Sequence, residues 1–254
     1  MTISQSHKTA PNLRTFMILE VLGQADGPMT ASEVHRALGL PKQTIHRLCN
    51  AMEAEGLLVR EPGTRRLRPG RRACQMATSI LSTTHAAIAR HQVLTELARD
   101  TGETVNLVVA QEKGMFYLDR VETDWPIRVQ LPIGTHVPFH CTASGKVFMS
   151  SLKRPDRDSF VAGLSLQQLT AKTITEPRRL LQELEKVNAR GYAIDDQEFV
   201  QNMAAIAVPV CDSNDQFFAA VAVHGPTQRF SAKVALTRKD LLLRAAARLG
   251  ALLF

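Results

Sequence analysis

The chain has 254 residues, 44% hydrophobic and 22% charged, with a formal net charge of +7, enough for one large or two modest domains with their own cores. It contains no run of about 18 apolar residues, and the opening MTISQSHKTAPNL lacks an apolar core, which argues against a membrane span or secretion signal and for a cytoplasmic protein. Cys49, Cys74, Cys141 and Cys211 show no C-x-x-C spacing, against a disulfide framework or zinc knot and for buried thiols.

The charge is unevenly placed. Residues 1–72 carry a net +5 and the remainder +2, and Arg60 to Arg72 hold six arginines against one acid, Glu61. Such clustering on a small N-terminal unit is the footprint of a polyanion partner.

Taken in chain order, Leu13, Phe16, Met17, Val21 and Leu22 recur at near-helical spacing from Asn12 until GQADGP stops them. Thr30 followed by Glu33 reads as a capping box for a short second helix, with Val34, Ala37 and Leu38 as its stripe and Gly39 as its stop. Pro41 opens a third helix along which Ile45, Leu48, Cys49 and Met52 fall at i, i+3, i+4 and i+7, ending at Gly56. Its other face carries Lys42, Gln43, Thr44, His46, Arg47 and Asn50. Two short helices about three residues apart make a helix-turn-helix. The side chains suit a DNA groove, because Gln and Asn pair with adenine, Arg with guanine, and Thr or Lys with phosphate or a base edge. LLVRE and RRLRP bracket PGT as a hairpin carrying Arg60, Arg65, Arg66 and Arg68, the wing of a winged helix that grips phosphate or the minor groove.

RRACQMATSILSTTHAAIARH, residues 71–91, reads as one helix or two in succession and as the hinge between domains. A helix around Gln92 to Arg99, with Val93, Leu94 and Leu97 inward, precedes the strand-like runs TVNLVVA, MFYLDRVE and IRVQLP. SGKVFMSSL reads as helical, and EPRRLLQELEKVNARG as a strong helix with Thr175 as cap, Leu180, Leu181, Leu184 and Val187 inward and Gly191 as stop. AAIAVPV and FFAAVAV follow as strands joined by CDSNDQ, and a last helix runs from about Thr237 with Leu242, Ala245, Ala246 and Leu249 on one side. The expected fold class is α+β, mixed α/β, with a sheet covered by helices.

Motifs for chemistry are weak. ASGKV fails as a nucleotide loop because His140 and Val147 stand where glycine and Ser or Thr are required. His140 and Cys141, like Asp195 and Asp196, are neighbours in extended runs and point apart, so neither pair is a catalytic dyad by spacing. Metal binding by His136, His140 and His224 is the weaker reading, because His-x-x-x-His serves a metal mainly on a helix and Pro138 interrupts this stretch. An anion site is better supported: PFHCTASGKVF passes from extended chain into a helix near Thr142 to Gly145, where the N–H groups of Ala143, Ser144 and Gly145 and the Ser144 hydroxyl suit a carboxylate. The competing reading is that Thr142 and Ser144 only cap the helix.

LGLPKQTIHRLCNAMEAEGLL resembles the recognition-helix motif of the IclR family of bacterial transcription regulators, with Gln43 at a usual Ser or Thr position and Cys49 for a Leu. PFHCTASGKVFMS, RGYAIDDQEF, AAIAVPVCD and AVAVHGP are similar, in order, to the family's motifs in the second domain. The resemblance implies an N-terminal winged helix-turn-helix over residues 1–70, a linker helix at 71–90, and over 91–254 a GAF-like effector-binding domain with a central antiparallel sheet flanked by helices. It also implies dimers or tetramers on pseudo-palindromic double-stranded DNA, with either repression or activation; no cofactor, metal or membrane partner is expected. Carried over by motif, the effector pocket takes Ala143 and Ser144, Asp195 or Asp196, Ala205 or a neighbour, Ala222 and His224. His224 replaces a usual small residue, adding a titratable donor that favours an anion. Gln201 and Asn202 replace a usual Pro-Gly, and Asn tolerates the left-handed conformation that turn needs.

The expected function is a transcriptional regulator whose operator binding responds to a small organic effector, a carboxylate or aromatic acid. Its rivals are an enzyme acting on a small acid in the second domain, and a sensor without a specific DNA site.

Overall fold

The computed structural model describes residues 10–25, 27–83, 85–125 and 131–253. The chain divides into two compact units, Met1–Leu81 and Ser82–Phe254. Among the described residues no helix is long and apolar enough to cross a membrane.

In the first unit a single 3-10 turn, Pro11–Leu13, leads into α1 (Arg14–Gln24), followed by β1 (Met29–Thr30), α2 (Ala31–Leu38), α3 (Lys42–Ala54), β2 (Leu58–Arg60) and β3 (Arg66–Pro69), with α4 (Arg71–Thr83) leaving the unit. The three strands form an antiparallel sheet ordered β1-β3-β2. Ile18, Leu22, Val34, Ile45, Cys49, Met52, Leu58 and Leu67 share one core. Leu13 and Phe16, expected on the inner stripe of α1, are exposed; the 3-10 turn delays the helix to Arg14, and the buried line then runs through Ile18 and Leu22 at i, i+4.

The second unit opens with α5 (His85–Thr101), which starts seven residues before the helix expected from Gln92. Then come β4 (Thr104–Gln111), β5 (Gly114–Val121), β6 (His136–Val137), α6 (Ala143–Ser151), α7 (Arg154–Ala162), α8 (Pro177–Arg190), β7 (Ala193–Asp196), β8 (Met203–Cys211), β9 (Phe217–Pro226), α9 (Ala232–Thr237) and α10 (Lys239–Leu253). Six strands make one antiparallel sheet, ordered β6-β5-β4-β9-β8-β7. The run IRVQLP lies, at residues 127–130, outside the described residues. Thr175 does not cap α8: Glu176 occupies that position without a side-chain bond, and Pro177, with no N–H to satisfy, opens the helix.

Both faces of the sheet are covered, so its strands are buried almost throughout. One face sets Val105, Leu107, Ile206, Val208, Val221 and Val223 against Leu94 and Leu97 of α5 and Leu242 and Leu249 of α10. On the other, Ala205, Ala207, Ala220 and Ala222 meet Ala143 and Val147 of α6 and Val187 of α8. Gly145 is required there, because a Cβ would run into the Phe139 carbonyl.

A buried charge ties α5 to β5. Arg90 Nε donates to Asp119 Oδ2 at 2.9 Å, and Oδ1 lies 2.9 Å from His91 Nδ1 and accepts the Arg120 backbone N–H at 2.8 Å. Arg90 and Asp119 are 3% and 5% exposed. Removing one member of such a pair leaves a charge in low dielectric. Asp119→Ala is therefore expected to lower unfolding free energy by about 3–5 kcal/mol in denaturant titration of the full chain, whereas a loss under about 1 kcal/mol would place the pair in the class of solvated surface bridges.

Candidate functional site

The polar face of α3 is built by its apolar one. With Ile45, Cys49 and Met52 buried, Lys42, Gln43, His46, Arg47 and Asn50 are exposed and Thr44 is half-buried. Gln43, His46, Arg47 and Asn50, at i, i+3, i+4 and i+7, share one strip of the helix surface. The preceding helix is fixed by a full capping box: Thr30 Oγ1 accepts the Glu33 N–H at 3.2 Å and Glu33 Oε2 accepts the Thr30 N–H at 2.6 Å.

The hairpin's arginines divide into two kinds. Arg60 grips Glu53 of α3 through Nε at 3.2 Å and Nη2 at 2.7 Å, and Arg66 donates to the Pro28 carbonyl at 2.7 Å. These two brace the hairpin. Arg65 and Arg68 are exposed, and their guanidinium groups make no hydrogen bond or ion pair among the described residues.

In the second unit, Ala143, Ser144, Asp195, Ala205, Ala222 and His224 line one cavity, together with Asn106, Val108, Tyr117, Thr142, Phe199 and Met203. Its volume is about 20 Å³, room for about one water molecule. Asp196, the alternative to Asp195, is not part of it: adjacent strand residues face opposite ways, and Asp196 is held in the open by Lys172 at 2.7 Å, which pulls its pKa down. The helix-start N–H groups are also only partly available. Thr142 Oγ1 accepts the Gly145 N–H at 3.1 Å and donates to the Pro138 carbonyl at 2.7 Å, so the cap consumes one of the three donors and leaves those of Ala143 and Ser144.

Asp195 is 1% exposed, and its Oδ1 accepts the N–H groups of Glu198 at 2.7 Å and Phe199 at 3.3 Å. Burial pushes its pKa up to about 7, against the opposing pull of Lys146 and those two N–H groups. Lys146, itself 1% exposed, donates to the Ile194 carbonyl and to Glu198 Oε1, which pins the chain on either side of Asp195. Asn202 adopts φ +63°, as its turn requires, and Gln197 adopts +67°. Elsewhere His140 Nε2 lies 2.9 Å from the Gln167 carbonyl, and burial pushes the Cys141 thiol up to about 12, so Cys141 is a thiol and a poor nucleophile at neutral pH.

Two family profiles match the chain: the IclR helix-turn-helix domain over residues 13–62 and the bacterial transcriptional regulator IclR C-terminal domain over residues 78–249. The chain belongs to the IclR family of transcriptional regulators. It is 39% identical over 226 residues to the probable transcriptional regulator SauR of Cupriavidus necator, covering 89% of this chain and 90% of that one. The IclR of Thermotoga maritima has the same fold, with a TM-score of 0.63 and 26% identity over 94% of this chain and 96% of that one. An IclR homologue from Microbacterium hydrocarbonoxydans, solved in complex with 4-hydroxybenzoate, matches with a TM-score of 0.58 and 22% identity over 96% and 99% of the two chains. As an IclR-family protein the chain is a DNA-binding transcriptional regulator.

For an IclR-family cavity, several lining or supporting residues were not anticipated from sequence. Lys146 and Glu198 sit inside the motifs GKV and DDQEF, but their pairing across 52 positions has no local signature. Asn106 had one: it interrupts the otherwise apolar VNLVVA. Tyr117, Phe199 and Met203 look like ordinary core residues.

Asp195 gives a pH signature. Its native pKa lies above the unfolded value, so its contribution to stability is complete below about pH 4 and is lost as pH rises to about 7. A carboxamide at this position would keep an acceptor oxygen without titrating. The stability of Asp195→Asn relative to the parent chain should therefore rise between about pH 4 and 7 and then level off; a flat difference across that window in pH-dependent denaturation would contradict the buried, neutral acid.

Proposed function

We propose that this regulator reads a pseudo-palindromic operator as a dimer or tetramer, and that a small organic acid entering the cavity of the second unit alters operator binding. Residues 1–70 form the DNA-reading unit, 71–90 the linker and 91–254 the effector-binding domain. Lys42, Gln43, Thr44, His46, Arg47 and Asn50 face the major groove, Arg65 and Arg68 hold phosphate, and Arg60 and Arg66 keep the hairpin in place.

The observation that carries the effector half is the convergence of six pocket positions, supplied by four separate motifs, on one buried cavity with donors at the α6 start. The 4-hydroxybenzoate complex of a family member with the same fold supports the choice of an organic acid. Asp195, Tyr117 and His224 are the titratable groups that would meet it; Asp196 is left to its ion pair with Lys172.

The decisive experiment is a titration against the promoter region upstream of the protein's own gene at fixed salt, with unrelated DNA as competitor and a panel of small organic acids. Tight binding to one palindromic segment, shifted by an acid, supports the reading; equal weak affinity for all sequences sinks it. Arg47→Ala should cost about 1–3 kcal/mol of operator affinity and relax sequence choice. Arg65→Ala and Arg68→Ala should weaken all DNA alike and each reduce the salt slope by about one. Ser144→Ala should weaken the acid's effect while leaving acid-free operator affinity nearly intact, and an unchanged response would remove Ser144 from the site.

A further inference from the structure

The buried ends of β4, β5 and β9 carry a polar chain of which the motifs contain only His224. Asn106 stands directly across from Arg120 on β5 and from Ala222 on β9, which places it diagonal to His224. Asn106, Arg120 and His224 are 1%, 6% and 5% exposed. Arg120 Nη1 donates to Asn106 Oδ1 at 2.8 Å, while its Nε donates to Glu122 at 3.1 Å. Asn106 Nδ2 lies 3.0 Å from His224 Nδ1.

The chemistry of these three groups allows one arrangement of protons. A guanidinium has only donors, so the Asn106 oxygen must be the atom that faces it. The amide nitrogen then faces the imidazole, and it too has only donors to offer. His224 Nδ1 must accept, which leaves the ring hydrogen on Nε2 and opposes a second proton on Nδ1. Both Asn106 and His224 line the cavity.

We infer that Asn106 and Arg120 are positioning residues that lock His224 in the Nε2–H tautomer, so that this end of the cavity donates a hydrogen bond and selects a ligand group that accepts one, a carboxylate or carbonyl oxygen. The ligand half of this assignment rests on the effector reading above; the lock itself does not. Arg120 acts at one remove. It sets the orientation of an amide, and the amide sets the site of a proton. The specificity of the cavity is thus decided partly by a residue on β5 that lies outside every recognised pocket motif.

The lock is read directly by long-range ¹H–¹⁵N correlation spectra of the full-length protein labelled at histidine nitrogen, with His224 assigned by loss of its signals in His224→Gln. In the parent chain the Nε2–H form of His224 should dominate by about tenfold, the scale of one buried hydrogen bond. Asn106→Asp keeps an oxygen for Arg120 but replaces the donor at Nδ1 with an acceptor, and should move the proton to Nδ1 or protonate the ring fully. Should that variant fail to unfold cooperatively, Arg120→Gln serves instead: its amide also accepts, which frees Asn106 to turn over and should mix the two tautomers. A parent His224 carrying Nδ1–H, or a folded variant with an unchanged tautomer, overturns the assignment. Failure of the effector reading would look different, with no acid in the panel shifting operator binding although His224 holds its Nε2 proton.

Discussion

The covering of the six-stranded sheet on both faces is the constraint from which the rest of the second unit follows. A strand buried on both sides has to place every residue against something, and alternation splits the residues into two sets. One set, the valines, leucines and isoleucine that meet α5 and α10, is bulky and makes a dry core. The other is made small by Ala205, Ala207, Ala220 and Ala222, so that α6 approaches closely, and Gly145 shows how closely. Small side chains on a covered face leave room that polar groups can occupy, and the cavity forms where the alanines give way to Asn106, Asp195 and His224.

Burying polar groups there carries a penalty unless each is partnered. The structure meets this with short chains of hydrogen bonds that cross between elements. Asp195 is held by two backbone N–H groups, Lys146 by a carbonyl and Glu198, and Asn106 by Arg120 and His224. On β5 the neighbours Asp119 and Arg120 divide the labour. The Asp119 side chain anchors Arg90 of α5, and the Arg120 side chain reaches Asn106 in the cavity wall. Because adjacent strand residues point to opposite faces, a single dipeptide joins α5, through Arg90, to the cavity wall, through Asn106.

What was legible in the sequence follows the range of the forces involved. Periodicity and caps are local, and so the helix-turn-helix, the capping box at Thr30, the closing turn at Gly191 and the stripe of α10 could be read directly. The turn at Asn202 was legible for the same reason, since the left-handed conformation is a preference of single residues. Boundaries fared worse where two signals overlapped. Pro177 rather than Thr175 sets the start of α8, and the 3-10 turn displaces the apolar line of α1. The short helices α7 and α9 offered too few turns for a period to declare itself. The choice between Asp195 and Asp196 needed the sheet register, because only pairing opposite Ala205 turns Asp195 inward. Asn106, Arg120 and His224 lie 14 and 118 positions apart in their contacts, beyond any local pattern.

A cavity of about 20 Å³ sets a condition on any ligand larger than water, because a wall must move to admit it. The walls do not resist equally. Those made by β4, β5, β8 and β9 are shared with two hydrophobic cores, and shifting them disturbs packing on both faces of the sheet. The wall between Asp195 and Met203 is different. It turns through left-handed residues at Gln197 and Asn202, and it is held by the buried Lys146–Glu198 pair and by hydrogen bonds from Thr170 to the Gln197 carbonyl at 2.6 Å and from Thr173 to the Glu198 carbonyl at 2.6 Å. Gln197 held left-handed stores about 1–2 kcal/mol, so displacing this segment releases strain while it strains the buried Lys146–Glu198 pair and costs hydrogen bonds to Thr170 and Thr173. A ligand changes a conformational equilibrium only by the difference in its affinity for the two states. A ligand larger than this cavity would create that difference by its size, through the wall it displaced.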